Sequence, residues 1–479
     1  MPTPRIESLL SARLFLAPQL VGDRLFFLSN LSGQLSLYAM DAAGSVPEPL
    51  LPPDIALQNP DLIGGYVFYV FPQLDQILVM IDQDGDENYQ PMLIPLAGGL
   101  PVPAFDGALA AARSHCVHGY PADNRAYFVA ESRQTQQYTA YQAHLDTGTL
   151  VEMGASPWGS FVDAVNAGHT RATLTDGYVV GDNVVYEWQA GVPGRRLLYG
   201  TPLEDRAPGQ DVPLNNIFAG QYTPQDRGLL CITALFADTF GLGYIPLTPA
   251  GEPVPVTIAG TRHHGGGELV SLEHLRDDRY LVGYNIDGVS WLYEGRFDEA
   301  ARAMQLDQVI CGTGRLANGV LEAVYYDKPG DRYALAFSTA TSPTQLYTIA
   351  GPTRQEIVAH TRERVLGIPD SWLAPGEDAS FTSFDGLRIS ARLYRPAPAL
   401  GYDGRRPIIY YIHGGPQGQE RPNFAWFSMP LIQFLTLNGF AVFVPNVRGS
   451  TGYGLQYTKQ VDHDWGGQDR LDHVQALAG

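Results

Sequence analysis

Along the first three-quarters of the chain, apolar residues fall into runs of about five, each opened by a polar turn. Asp23-Arg24 precedes LFFL, Asp123-Asn124-Arg125 precedes AYFVA, and Asp226-Arg227 precedes GLLCI. Asp278-Arg279 precedes YLVGY and Asp331-Arg332 precedes YALAF. Two weaker copies, Gly64-Gly65 before YVFYV and Asp182-Asn183 before VVYEW, fill the gaps. The copies lie about 51 residues apart, and a further strand follows most of them, as at Leu35–Tyr38, Trp291–Tyr293 and Gln345–Tyr347. That period, with several short strands per unit, predicts the blades of a β-propeller, which bury their faces only by stacking around an axis. Two evenly spaced β-sandwiches are the competing reading, but they give no reason for the Asp-Arg cue to recur.

The pattern changes near residue 370. Ile368-Pro369 to Gly376 reads as a linker. Ser380–Phe384 and Leu387–Tyr394 then flank Asp385-Gly386 and predict a hairpin. Pro407–Ile412 is a continuous apolar run suited to a strand buried on both faces. Trp426 to Asn438 carries Phe427, Leu431, Phe434, Leu435 and Leu437 at helical spacing, with a stop at Asn438-Gly439. Phe440–Val444 reads as a second buried strand, and a last helix begins near Asp469 with Leu471, Val474 and Leu477 on one side. A hairpin followed by strand, helix, strand and helix opens a doubly wound α/β sheet, which builds its site in loops at the strand ends.

Composition supports the turn-rich reading: 52 Gly and 36 Pro among 479 residues exceed the roughly 7% and 5% of ordinary chains. The net charge of −19, with no basic run, argues against nucleic acid as a partner. Three scattered cysteines, Cys116, Cys231 and Cys311, build neither a disulfide framework nor a zinc site. Arg5, Glu7 and Arg13 interrupt the mildly apolar start, so no secretory leader is expected. No apolar run reaches membrane-spanning length, and a cytoplasmic protein is the expectation.

Several motifs carry little chemistry. Asp82–Glu87 resembles a calcium loop, but its Gly is at the fourth position and a solvated turn is favoured. His263-His264 before three glycines reads as a surface loop, and His115, Cys116 and His118 lack a fourth zinc ligand. His413-Gly414-Gly415-Pro416 is more informative. It ends a predicted buried strand, where a glycine backbone lets an N–H approach a tetrahedral oxyanion.

Four motifs then occur in order within about 100 residues. They are Ser383-Phe384-Asp385-Gly386 with Leu393-Tyr394-Arg395-Pro396, His413-Gly414-Gly415-Pro416, Asn446-Val447-Arg448-Gly449-Ser450-Thr451-Gly452-Tyr453-Gly454, and Trp465-Gly466-Gly467-Gln468-Asp469 with Asp472. The chain thereby resembles the prolyl oligopeptidase family of serine peptidases, nearest its acylaminoacyl-peptidase and dipeptidyl-aminopeptidase-like branch. The resemblance implies a mainly β chain: an N-terminal segment at 1–18, a seven-bladed β-propeller over 19–366, and the N-terminal part of an α/β-hydrolase domain over 367–479. It implies that the propeller caps the hydrolase domain and admits short peptides rather than folded proteins. Gly415 is the expected oxyanion donor through its backbone N–H. His413, Gly414 and Pro416 shape that loop, while Arg448, Trp465 and Asp469 serve as structural supports.

No Gly-x-Ser-x-Gly occurs in the 479 residues, so the chain is expected to stop about one strand short of the nucleophile, with acid and base further on. Chain order then removes His413, His463 and His473 as triad histidines. The expected activity is that of a serine exopeptidase on short peptides, with this chain inactive alone. A propeller-based binding protein with a vestigial hydrolase domain, and an esterase of the same fold, are the alternatives. No cofactor, metal, nucleic acid or membrane partner is expected, and self-association is open as to subunit number.

Overall fold

The computed structural model describes residues 4–424 and 428–478. The chain is mainly β. Four-stranded antiparallel meanders occupy residues 15–49, 68–103, 112–156, 161–199, 218–259, 267–311 and 319–359 in turn. Each comes from one uninterrupted stretch of sequence. Val254–Ala259 also pairs in parallel with Ala303–Cys311, so the outer edges of two neighbouring meanders join. That junction covers two sheet edges that would otherwise offer unpaired backbone.

The five Asp-Arg cues all open the second strand of a meander: Arg24–Ser29, Arg125–Ser132, Gly228–Thr233, Arg279–Ile286 and Arg332–Thr339. The turn before it needs a left-handed residue, and Asn124, Asp226 and Asp331 supply one at φ of 51°, 53° and 48°. The two weaker cues mark other strands. Gly64-Gly65 precedes Phe68–Phe71, the first strand of its meander, and Asp182 opens a third strand, Asp182–Gln189. The true second strands there are Gln76–Ile81 and Arg171–Val179, entered through Asp75 and His169, both at positive φ. Those turns satisfy the same backbone demand without the Asp-Arg pair.

Three of the five cue arginines reach a neighbouring meander: Arg227 pairs with Glu299, Arg279 reaches Asp331 at 3.0 Å, and Arg332 donates to Gly22 O. Each thus ties one meander to its neighbour, the last to the first. First strands of several neighbouring meanders lie side by side, as Phe15–Val21 does with Phe68–Phe71 and Gly319–Asp327, and Phe218–Tyr222 with Phe161–Val165 and Gly267–Arg276. Their seams are bridged by side chains: Gln19 accepts from Val70 N and donates to Phe68 O, and Asp163 accepts from Gly220 N at 2.9 Å. The ring closes through Phe15, Phe27 and Tyr38 packed with Ala334, Ala336 and Leu346.

The remaining sheet runs in the order Glu377–Asp378, Arg388–Tyr394, Ala441–Asn446, Ile408–Tyr410, with Phe381–Thr382 also on Arg388–Tyr394. The expected doubly buried strand is an edge strand instead. Among the described residues it has a partner on one side only, and Ile408 is 62% exposed. Helix Ser428–Leu437 buries Met429 and Ile432 beside Leu9 of the short helix Ile6–Leu10. The start predicted at Trp426 and Phe427 lies outside the described residues. Helix Gln468–Ala478 forms near its predicted start. Its apolar positions Leu471, Val474 and Leu477 are nevertheless exposed, because its buried contact is made by Asp472. Among the described residues, no helix is long and apolar enough to cross a membrane.

Candidate active-site loop

Ile408–Tyr410 and Ala441–Asn446 are parallel, so both strands deliver their following loops to the same sheet edge. In open α/β sheets that edge is where ligands bind. The loops after them, 411–420 and 447–454, are sewn together. Thr451 N donates to Gly418 O at 3.0 Å, Glu420 N donates to Asn446 Oδ1, and Asn446 Nδ2 returns a bond to Glu420 O.

Gly415 sits at φ 126°, and a Cβ there would fall 2.6 Å from Gln417 N, so only glycine fits. Gly414 and Gly415 are exposed, and among the described residues no acceptor meets the Gly415 N–H. An exposed, unpaired N–H on a rigid loop can receive a developing oxyanion. His413 stays at the loop's base, with Nδ1 2.9 Å from Gly414 O and Nε2 3.1 Å from Ser450 Oγ. Burial pushes its pKa down, which favours the neutral ring. Ser450 is fully buried and donates to Val447 O, so this Ser-His pair braces the loops and offers no nucleophile to solvent. Pro416 follows the glycines, and its carbonyl accepts from Gly418 N at 2.8 Å.

Arg448 is buried in the strand-end loop and gathers three of the sequence motifs around itself. Its Nε and Nη2 donate to Asp472 at 2.9 and 2.8 Å, and its backbone N donates to the same carboxylate at 3.1 Å. Nη1 reaches Gln468 Oε1 at 2.6 Å and Asp385 Oδ2 at 2.9 Å, while the guanidinium lies over the Phe384 ring. Ser383 Oγ also donates to Asp472. The hydrogen bond from Arg448 holds the Asp385 carboxyl below its ordinary pKa. The hairpin, the strand-end loop and the last helix are thus locked at one point.

The other expected supports are placed differently. Asp469 lies in the first turn of helix Gln468–Ala478, one turn before the residue that pairs with Arg448. Trp465 is 65% exposed, in the turn that precedes helix Gln468–Ala478. His473 Nδ1 lies 2.9 Å from Tyr410 Oη, beside the edge strand.

Contacts from the ring complete the site, and sequence patterning missed them. Glu268 accepts from Gly452 N at 3.1 Å and Gly454 N at 2.9 Å, and Asp238 accepts from Leu455 N and Gln456 N. Arg388 forms a two-pronged pair with Asp287, and Arg421 donates to Gly288 O and Ser290 Oγ. Glu322, pushed up to about 7 by burial, accepts from Ser338 and Asn423 at the same boundary.

The motifs set aside earlier serve the ring. Asp82 accepts from Glu87 N, and Asp86 accepts from Gln83 N and Asn88 N, a turn that closes on itself. His263 is no free loop residue: its ring lies 4.5 Å from that of Tyr284, and Nδ1 is 2.8 Å from Tyr293 Oη. Among the described residues, no three His, Cys, Asp or Glu side chains cluster to hold a metal.

Residues 425–478 match the prolyl oligopeptidase family. An uncharacterized peptidase of Bacillus subtilis, YuxL, is 31% identical over 155 residues, covering 31% of this chain and 22% of that protein. A probable dipeptidyl-peptidase 5 of Emericella nidulans is 28% identical over 207 residues, covering 40% of this chain and 28% of its own length. The chain therefore spans about a quarter of the length of these curated relatives. A puromycin-hydrolyzing peptidase of Mycobacterium tuberculosis superposes with a TM-score of 0.72 at 15% identity, over 100% of this chain and 72% of that one. At that identity the likeness is one of fold, a β-propeller joined to a hydrolase-type domain.

Proposed function

We propose that this chain, a member of the prolyl oligopeptidase family, is the cap and oxyanion-loop portion of a serine peptidase acting on short peptides near their N-termini. In this reading residues 19–366 form a seven-bladed propeller over a hydrolase domain that begins at 367, and the reaction is acylaminoacyl- or dipeptidyl-peptidase-like. The observation that carries it is the Gly415 N–H, without an acceptor among the described residues, on an exposed loop at the carboxyl end of a parallel strand. That is where a hydrolase sheet stabilises the oxyanion of acyl transfer.

The division of labour is specific. Gly415 donates to the oxyanion, and glycine is demanded by the backbone. His413 and Ser450 fix the loop from below, and the Arg448–Asp472 pair holds the strand-end loop against the last helix. No Gly-x-Ser-x-Gly elbow lies in the 479 residues, so the nucleophile is assigned to none of them. Its attack would form the tetrahedral intermediate, and Gly415 would carry part of the negative charge.

Two measurements test the proposal. A serine-directed fluorophosphonate should leave these 479 residues unlabelled. The protein isolated from its own source, carrying these residues, should release product from acylaminoacyl or dipeptidyl amides. Hydrolysis of simple esters with no peptide turnover would replace the peptidase reading with an esterase.

A further inference from the structure

We infer that a cavity at the seam between the ring and the carboxy-terminal domain is a subsite for one bulky, uncharged side chain of a peptide. The inference rests on the peptidase reading and supplies the side-chain class that the reading leaves open. The cavity measures about 260 Å³. Whole-ligand clefts run from about 300 to 1,000 Å³, so this space suits a single side chain.

Its walls come from both parts of the molecule. Phe218, Phe240, Leu269 and Val270 belong to the ring, and Leu455 belongs to the loop that follows the strand end. Phe218 and Phe240 meet edge to face, with ring centres 5.7 Å apart, and form an aromatic wall. Val270 lies on the strand Gly267–Arg276 and is 40% exposed, so the cavity has an open side.

Two features tie this space to the reaction and set its selectivity. Thr451, on the rim, donates its N–H to Gly418 O, so the rim and the oxyanion loop move as one. Glu268 supplies the one charged group, and both of its oxygens are occupied by Gly452 and Gly454 N–H groups. Burial raises its pKa, in keeping with a carboxylate turned into the protein. The remaining wall is largely apolar. An acidic side chain meets Glu268 repulsively, and a basic one gives up its hydration against a largely apolar wall whose single carboxylate already accepts two backbone N–H groups.

The test uses the 479-residue chain and reads binding by ligand-observed NMR, independent of hydrolysis. The probes are the N-acetyl amides of phenylalanine, glycine, lysine and glutamate. The phenylalanine probe should bind about 10-fold or more tightly than the other three. Val270→Trp fills the space and should abolish that preference at an unchanged melting temperature. Val180→Trp, at the exposed rim, is the second variant should the first fail to fold. Equal binding of all four probes, or full phenylalanine preference in both folded variants, overturns the inference. A source-isolated protein that cannot cleave peptides while this chain keeps the preference removes the peptidase reading and leaves the subsite standing.

Discussion

Asp472→Ala should unlock the carboxy-terminal sheet. The wild-type carboxylate is wholly buried and accepts from Arg448 Nε, Nη2 and backbone N and from Ser383 Oγ. Its removal leaves a guanidinium that is itself 1% exposed, with Gln468 and the part-exposed Asp385 as remaining partners. Losing one member of a buried pair costs about 3–5 kcal/mol. Retention of Asp385 places the cost near the lower end, about 3 kcal/mol, or roughly 100-fold in a local opening equilibrium. Hydrogen exchange read by mass spectrometry resolves where that opening occurs. Strands Arg388–Tyr394 and Ala441–Asn446 should exchange about 100-fold faster, while Arg332–Thr339 in the ring stays unchanged. Adding Arg448→Met to Asp472→Leu should recover most of the loss, since an apolar pair replaces an unpaired charge. Wild-type exchange in Asp472→Ala would refute the claim that this carboxylate locks the three motifs.

Three further outcomes follow from the geometry. Glu420 is pushed up to about 7 by burial while Ser428 donates to it, so its folded form holds a proton the unfolded chain releases near pH 4. Stability therefore falls as pH rises from about 4 to 7, and Glu420→Gln should gain of order 1–3 kcal/mol at pH 8 but nothing at pH 4, by urea denaturation. Gly415→Ala should lower kcat of the source-isolated enzyme about 100-fold with little change in KM, because the added Cβ meets Gln417 N and displaces the N–H. An unchanged kcat would remove Gly415 from the oxyanion site. Arg332→Ala leaves buried Asp327 unpaired and frees the Gly22 turn, at a cost of about 1–3 kcal/mol, and should speed exchange in residues 15–29 before any other ring segment.

Much of the ring was legible because its strongest signal is local. Asn124, Asp226 and Asp331 occupy left-handed turn positions that few residue types fill, and an arginine next in sequence marks the strand that follows. Where His169 or Asp75 meets the same backbone demand, the local pattern loses the cue and the eye moves to a neighbouring strand. The carboxy-terminal motifs were visible as strings, and the Gly415 loop lies where a strand end should put it. Their convergence was not visible, since Ser383, Asp385, Arg448 and Asp472 meet across up to 89 residues of chain and no periodicity encodes that pairing. Ile408 shows a further limit: an apolar run reports the tendency to be buried, while exposure depends on which neighbours the sheet supplies. Glu268 and Asp238 gave no signal because an acceptor for a distant backbone N–H resembles any other acidic residue.

The build of the ring has a mechanical consequence. Every meander is a continuous stretch of chain, so the join between 15–49 and 319–359 carries side-chain contacts and no shared strand ladder. The ring is a split washer: its gap can widen without breaking a single sheet hydrogen bond. Both ends beside the gap run to the same neighbour, since Leu9, ahead of the first strand, and Val365, after the last, enter one apolar cluster with Met429 and Ile432. The split is therefore pinned from outside by helix Ser428–Leu437 and the strand Ala441–Asn446 behind it.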